Sequence, residues 1–166
     1  MRVLNEEQVK DILKNRSEKL QNIRKKMFDL YREIEDTDNI LRSIALPSIQ
    51  IPDVPAQGQN YMDTGDVLLR YRRQLYERNQ EVRQIMWGLA EEEESICRVW
   101  NCFYALKDPY YSILYALYVE NQIYQTVEID YGWSHKTFEK KRKHGIKQIL
   151  KFYESDLTAN QLICQG

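Results

Sequence analysis

An apolar residue recurs at every seventh position through the first forty residues, and no glycine or proline interrupts the run. Leu13, Leu20, Met27, Ile34 and Leu41 hold one position of the heptad. Val9, Ile23, Leu30 and Ile44 hold the second, with Arg16 and Thr37 in its two remaining slots. A seam sustained over this length predicts a long helix that buries one narrow stripe, as in a coiled coil. The helix is expected from about Glu6 to Ala45, with Asn5 as N-cap and Glu6 and Glu7 in its first turn. Pro47, Pro52, Pro55 and Gly58 then exclude helix, so 46–64 is expected to be a connector. A second helix is expected from about Gly65 to Trp100. Leu68, Leu75, Val82, Leu89 and Ile96 recur by sevens, flanked by Tyr71, Ile85 and Val99 and by the polar Arg78 and Glu92. Two such helices joined by a loop pack most simply as an antiparallel hairpin over residues 1–100, able to support a homodimer or partner contact. With only 6 glycines and 4 prolines in 166 residues, the chain as a whole reads as all-α.

The remaining sequence breaks into shorter pieces. Cys102–Leu106 extends or restarts a helix that ends near Lys107. Asp108-Pro109 has the form of a helix start, with Asp as N-cap and Pro in the first turn, and the helix is expected to run to about Glu120. After the polar Asn121-Gln122, Ile123–Tyr131 reads as a short helix. Gly132 supplies the positive φ of a tight turn. Ser134 caps a last helix reaching about Tyr153. Helix, short helix, glycine turn and Ser-capped longer helix is the layout of a helix-turn-helix, and a domain of this kind is expected over 101–155, with 156–166 as a tail.

Charge singles out the last helix. The whole chain carries a formal −1, yet Trp133–Lys151 holds seven basic residues and a single acid, Glu139, for a local +6. The remaining residues therefore sum to −7. Clustered cations along one helix are an electrostatic footprint for phosphates. Double-stranded DNA is the expected partner. Lys140, Arg142, Lys143 and Lys147 are expected to anchor phosphates. Ser134, His135, Lys136 and Thr137 stand in the first turn, where base edges are reached, and Glu139 is placed to accept from a cytosine amino group or to pair with Lys143. Val127, Trp133, Phe138, Ile146 and Ile149 are read as core.

Tyr110–Asn121 resembles the first helix of a sigma-70 region-4 domain, and Thr126–Phe138 is similar to its helix-turn-helix core. Ile146, Ile149 and Leu150 match the trailing packing positions, so the resemblance covers about 45 residues. An N-terminal coiled coil, a proline-bearing loop and a second long helix ahead of such a domain also resemble the ArpU-like and RinA-like late-gene regulators of phages and prophages of Gram-positive hosts. The resemblance implies a DNA-binding transcriptional regulator, with RNA polymerase as a candidate further partner. Glu128 stands in a slot that is small in that family and faces the second helix, so it is expected to need a partner such as Lys140 or Lys141, or a shifted register. Gly145 is expected to weaken the last helix by about 1 kcal/mol relative to alanine.

Other classes are less well served. His135 and His144 lie nine residues apart with no paired carboxylate or cysteine. Neither HExxH, a P-loop nor a Gly-rich dinucleotide turn is present, so the chain is not read as an enzyme. Cys97, Cys102 and Cys164 match no zinc spacing and no cofactor is expected. Glu91–Glu94 is read as a solvated helix face rather than a metal site. The start turns acidic at once, which reads as no signal peptide, and no apolar run reaches the ~18 residues of a membrane span, so a cytoplasmic protein is expected. Two rivals remain: a phage terminase small subunit, and a coiled-coil adaptor without DNA binding.

Overall fold

In the computed structural model the described residues, 4–45 and 64–155, are all-helical. Residues 46–63 of the expected connector and the C-terminal tail lie outside them, and Thr64, the connector's expected last residue, opens the second long helix. Five α-helices follow one another: α1 Glu6–Ala45, α2 Thr64–Tyr104, α3 Tyr110–Leu114, α4 Tyr124–Tyr131 and α5 His135–Glu154. α3 runs on as a π-helical stretch, Tyr115–Val119. No described helix is long and apolar enough to cross a membrane. The chain divides into two compact units, 4–23 with 91–155 and 24–45 with 64–90. The division falls inside both long helices rather than at residue 100, because their outer ends carry apolar side chains that belong to the C-terminal core.

In the 24–90 unit α1 and α2 lie side by side in opposite directions. Arg78 Nε donates to Glu33 Oε1 at 2.8 Å, and Asn79 Nδ2 to Asp38 Oδ1 at 3.2 Å. The α1 seam is the one its heptads specify: Ile34 and Thr37 are buried, Met27 and Leu30 half-buried. Thr37 is tolerated there because its hydroxyl donates to the Glu33 carbonyl at 2.7 Å. On α2 the second seam position sits one residue later than the sequence suggests. Asn79 is buried and Met86 half-buried, while Arg78 and Ile85 are exposed. Asn79 can enter because Asp38 supplies a polar partner, and Arg78 instead spans the rim to Glu33.

In the other unit Asn5 and Gln8 form a reciprocal cap. The Gln8 amide donates to Asn5 Oδ1 at 2.8 Å and the Asn5 amide to Gln8 Oε1 at 2.9 Å. Helical backbone is interrupted at Asn15 (φ −117°, ψ 21°), whose side chain donates to Asp11. Val9, Leu13, Val99, Cys102 and Phe103 are buried. Arg16, on the α1 seam, lays its guanidinium 4.7 Å from the centre of the Trp100 ring. Cys102 is an inert buried hydrophobe whose thiol burial pushes up to about 11. Trp100, Phe103, Tyr104, Tyr111 and Tyr115 form a continuous chain of ring contacts.

α2 also holds the end of α5. Arg98 Nε donates to the Tyr153 carbonyl at 3.1 Å and its Nη2 to the Ser155 carbonyl, while Ser95 and Tyr153 share a hydroxyl bond of 2.8 Å. Cationic capping of the last carbonyls is where a helix C-terminus gains most from it. α3 starts one residue later than expected, with Pro109 at its cap position. The Asp108 carboxylate accepts from the Ser112 hydroxyl instead of from a backbone amide.

Candidate nucleic-acid interface

α4, the turn at 132–134 and α5 form around one small apolar core. Ile113, Val127 and Phe138 are buried together, with Ala116, Leu117, Tyr124, Tyr131 and Trp133 packed against them. Trp133 is half-buried; the other residues expected as core, Val127, Phe138, Ile146 and Ile149, are buried. Gly132 ends α4 in the left-handed region at φ 61°, a conformation that L side chains rarely adopt. Ser134 caps α5, its Oγ accepting from the Thr137 amide at 3.4 Å.

α5 packs on α3 through Gly145. A Cβ at this position would stand 3.1 Å from Leu114 Cδ1 and 3.3 Å from Tyr110 Cβ. The glycine therefore permits close helix approach, and its helix-propensity cost is set against that contact. Next to it, Lys141 Nζ lies 5.4 Å from the Tyr110 ring centre and 6.0 Å from that of Trp133.

The outward face of α5 is a row of lysines. Lys136, Lys140, Lys143, Lys147 and Lys151 are all exposed. Their spacing of four, three, four and four places them within an arc of about 80° over about 22 Å of helix. Glu154, also exposed, closes the row at its C-terminal end. Lys151 was not among the expected contacts, although the i, i+4, i+7, i+11, i+15 spacing identifies it. Thr137 is exposed beside the row, its Oγ1 2.8 Å from Ser134 Oγ.

Two expected contacts point elsewhere. Arg142, 17% exposed, donates from Nε and Nη2 to the two oxygens of Glu139 at 3.1 and 3.0 Å. Its Nη1 donates to Tyr118 Oη at 2.6 Å. Tyr124 Oη completes the group by donating to Glu139 Oε1 at 2.8 Å. Burial opposes ionisation of Glu139, but the hydrogen bonds from Arg142 and Tyr124 outweigh it and hold the carboxyl below its ordinary range. Burial and the adjoining Glu139 push the Tyr124 hydroxyl up. Arg142 and Glu139 thus tie α5 to α4 and to the π-helical stretch. Lys143 keeps only a 4.0 Å approach to Glu139 and is 61% exposed.

Glu128 finds neither Lys140 nor Lys141. Its carboxylate lies 3.2 Å from His135 Nδ1 through either oxygen, and His135 also meets the Tyr124 ring edge-on at 5.8 Å. The slot between the two helices is filled by an acid because the first residue of α5 supplies its partner. Among the described residues no group of histidines, cysteines and carboxylates is arranged to hold a metal ion.

Comparison with known proteins found no matching family model, no matching curated protein and no matching solved structure.

Proposed function

We propose that the chain is a sequence-specific double-stranded DNA-binding transcriptional regulator, and that α4, the Gly132 turn and α5 act as its helix-turn-helix. The single observation that carries this reading is the row of five exposed lysines on a Ser-capped helix whose opposite face is fully packed. Lys136 stands in the first turn of α5, and Lys140, Lys143 and Lys147 follow it along the same face. His135, Lys136 and Thr137 are the residues offered to base edges, and Lys140, Lys143, Lys147 and Lys151 those offered to phosphates. Arg142 and Glu139 position the helix from behind. The setting suggested by the sequence resemblance is a phage or prophage regulator, with the long helices serving as an association element.

Neutralising about five phosphates gives a log–log salt slope of about −4 to −5. The test is fluorescence anisotropy of the full chain on labelled genomic duplex fragments at several salt concentrations. Tight, steeply salt-dependent binding to a few fragments is expected, and Lys140→Ala with Lys143→Ala should weaken it on every duplex. Unchanged affinity in that double variant removes the proposed face. The exposed aromatics of the 24–90 unit favour a second reading, an interaction adaptor, and absence of duplex binding at any salt would select it.

A further inference from the structure

Eight of the eleven exposed large hydrophobic side chains among the described residues lie in the 24–90 unit: Phe28, Tyr31, Ile40, Leu69, Tyr71, Tyr76, Ile85 and Trp87. Two of them border a groove of about 630 Å³ between α1 and α2. Its apolar wall is Met27, Tyr31 and Ile34 from α1 and Met86, Trp87 and Ala90 from α2. Trp87 is 73% exposed and Tyr31 58%. A tryptophan displayed to this extent beside a second exposed aromatic is a docking feature rather than ordinary surface.

The charges on the rim indicate what docks. Glu35 stands on the α1 side and Arg83 on the α2 side, and among the described residues neither has an ion-pair or hydrogen-bond partner. The two helices are antiparallel, with Asn79 level with Asp38. By the same register Arg83 falls within one residue, about 1.5 Å along the axis, of the level of Glu35, and Trp87 of that of Tyr31. A two-fold axis running along the groove would lay α1 of one copy on α2 of another without changing level. Each Arg83 then meets the Glu35 of the second copy, and each Trp87 meets its Tyr31. One surface thus satisfies itself twice, the requirement for an isologous contact.

We propose that this groove is the contact face between two copies of the chain, closing the two helix pairs into a four-helix arrangement. The proposal gives a surface to the association role suggested above for the long helices and is independent of DNA binding. A dimer without duplex affinity would end only the regulator reading, and a monomer that binds duplex would end only this one.

The test is sedimentation equilibrium of the full chain, with circular dichroism to confirm that each variant keeps its helix content. The wild-type chain is expected to be a dimer, and Trp87→Ala to raise the dissociation constant at least tenfold. Arg83→Glu and Glu35→Arg should each do the same, since each places like charges opposite one another. Mixing the two charge-reversed chains should restore dimers, because each then offers the sign the other lacks. A wild-type monomer, a dimer indifferent to Trp87→Ala and Arg83→Glu, or a mixture that stays monomeric would each overturn the proposal.

Discussion

Around α3, α4 and α5 the large side chains Ile113, Leu114, Phe138, Ile146 and Ile149 are fully covered, and what α5 turns outward is lysine. In the 24–90 unit the seam between α1 and α2 closes over Ile34 and Val82, yet Trp87, Phe28, Tyr31 and Tyr76 remain in solvent. Both regions are built from amphipathic helices, so the difference is not one of secondary structure. Three helical segments meeting around Phe138 can enclose an aromatic residue from several sides. Two helices side by side cover a stripe and leave every flanking position open. The first region completes its own core and presents charge on α5, with Ile123 and Ile129 at α4 left in solvent; the second is half a core, and its stability should depend on what lies against it.

Replacing one large aromatic in each region tests that contrast most strongly. Phe138 is in ring contact with Tyr124 at 5.1 Å and Tyr131 at 6.1 Å, and Phe138→Ala is expected to cost about 3–5 kcal/mol in urea denaturation. This cost should not vary with protein concentration. Trp87→Ala should cost less than about 0.5 kcal/mol in dilute protein, as an exposed site does, with a gap that widens as concentration rises. Equal and concentration-independent losses would erase the distinction between the two regions.

Within α5 the neighbouring cations should separate in the same way. Arg142→Lys disrupts the bonds to Glu139 and Tyr118 and is expected to lower stability by about 1–3 kcal/mol, leaving the salt slope of duplex binding unchanged. Lys143→Gln should leave stability within about 0.5 kcal/mol and flatten the slope by about 0.9. Reversed results would make Arg142 the phosphate contact and Lys143 the structural residue.

These neighbours also show how far the sequence could be read. The α1 seam, the Asn5 and Ser134 caps, the Gly132 turn and the basic character of α5 are local matters of spacing and propensity, and each was legible. The second row of the α2 seam was not, because offsets of three and four residues both lie on the seam side of a helix. Hydrophobicity favours Ile85 and Tyr71 there, whereas Asp38 on the facing helix decides for Asn79. The inward turn of Arg142 depends on Tyr118, 24 residues earlier, and the pairing of Glu128 on His135 across the turn. Neither has a signature in residue order, since an arginine on a basic helix serves a phosphate or a carboxylate equally well.

Gly145 sharpens the point on a smaller scale. Read as sequence it is a weak position in a helix, and alanine should stabilise it by about 1 kcal/mol. In the structure the added Cβ meets Leu114 and Tyr110 at 3.1 and 3.3 Å, and Leu114 is fully buried. Overpacking of this kind costs about 1–3 kcal/mol. Gly145→Ala is therefore expected to lose about 1 kcal/mol net in thermal or urea melts. A gain would show that α3 yields and that the close approach is not required.

The smallest expected effect is a pH dependence from Glu139. Its folded-state carboxyl is held below the ordinary value of 4.5 by Arg142 and Tyr124 against the opposing pull of burial. A depressed folded value means that the ionised form contributes stability above pH 4.5, and that the contribution is lost as pH falls below 4.5 through the folded value. Glu139→Gln keeps the shape and removes the titration. The difference in melting temperature between the two proteins should hold constant from pH 7 to about 5 and close as acid is added. Carboxylates elsewhere titrate in both proteins and cancel in the difference. A gap that persists undiminished at pH 3 would mean that the network acts through neutral hydrogen bonds and packing. Arg142 would then hold α5 in place without any contribution from the charge of its partner.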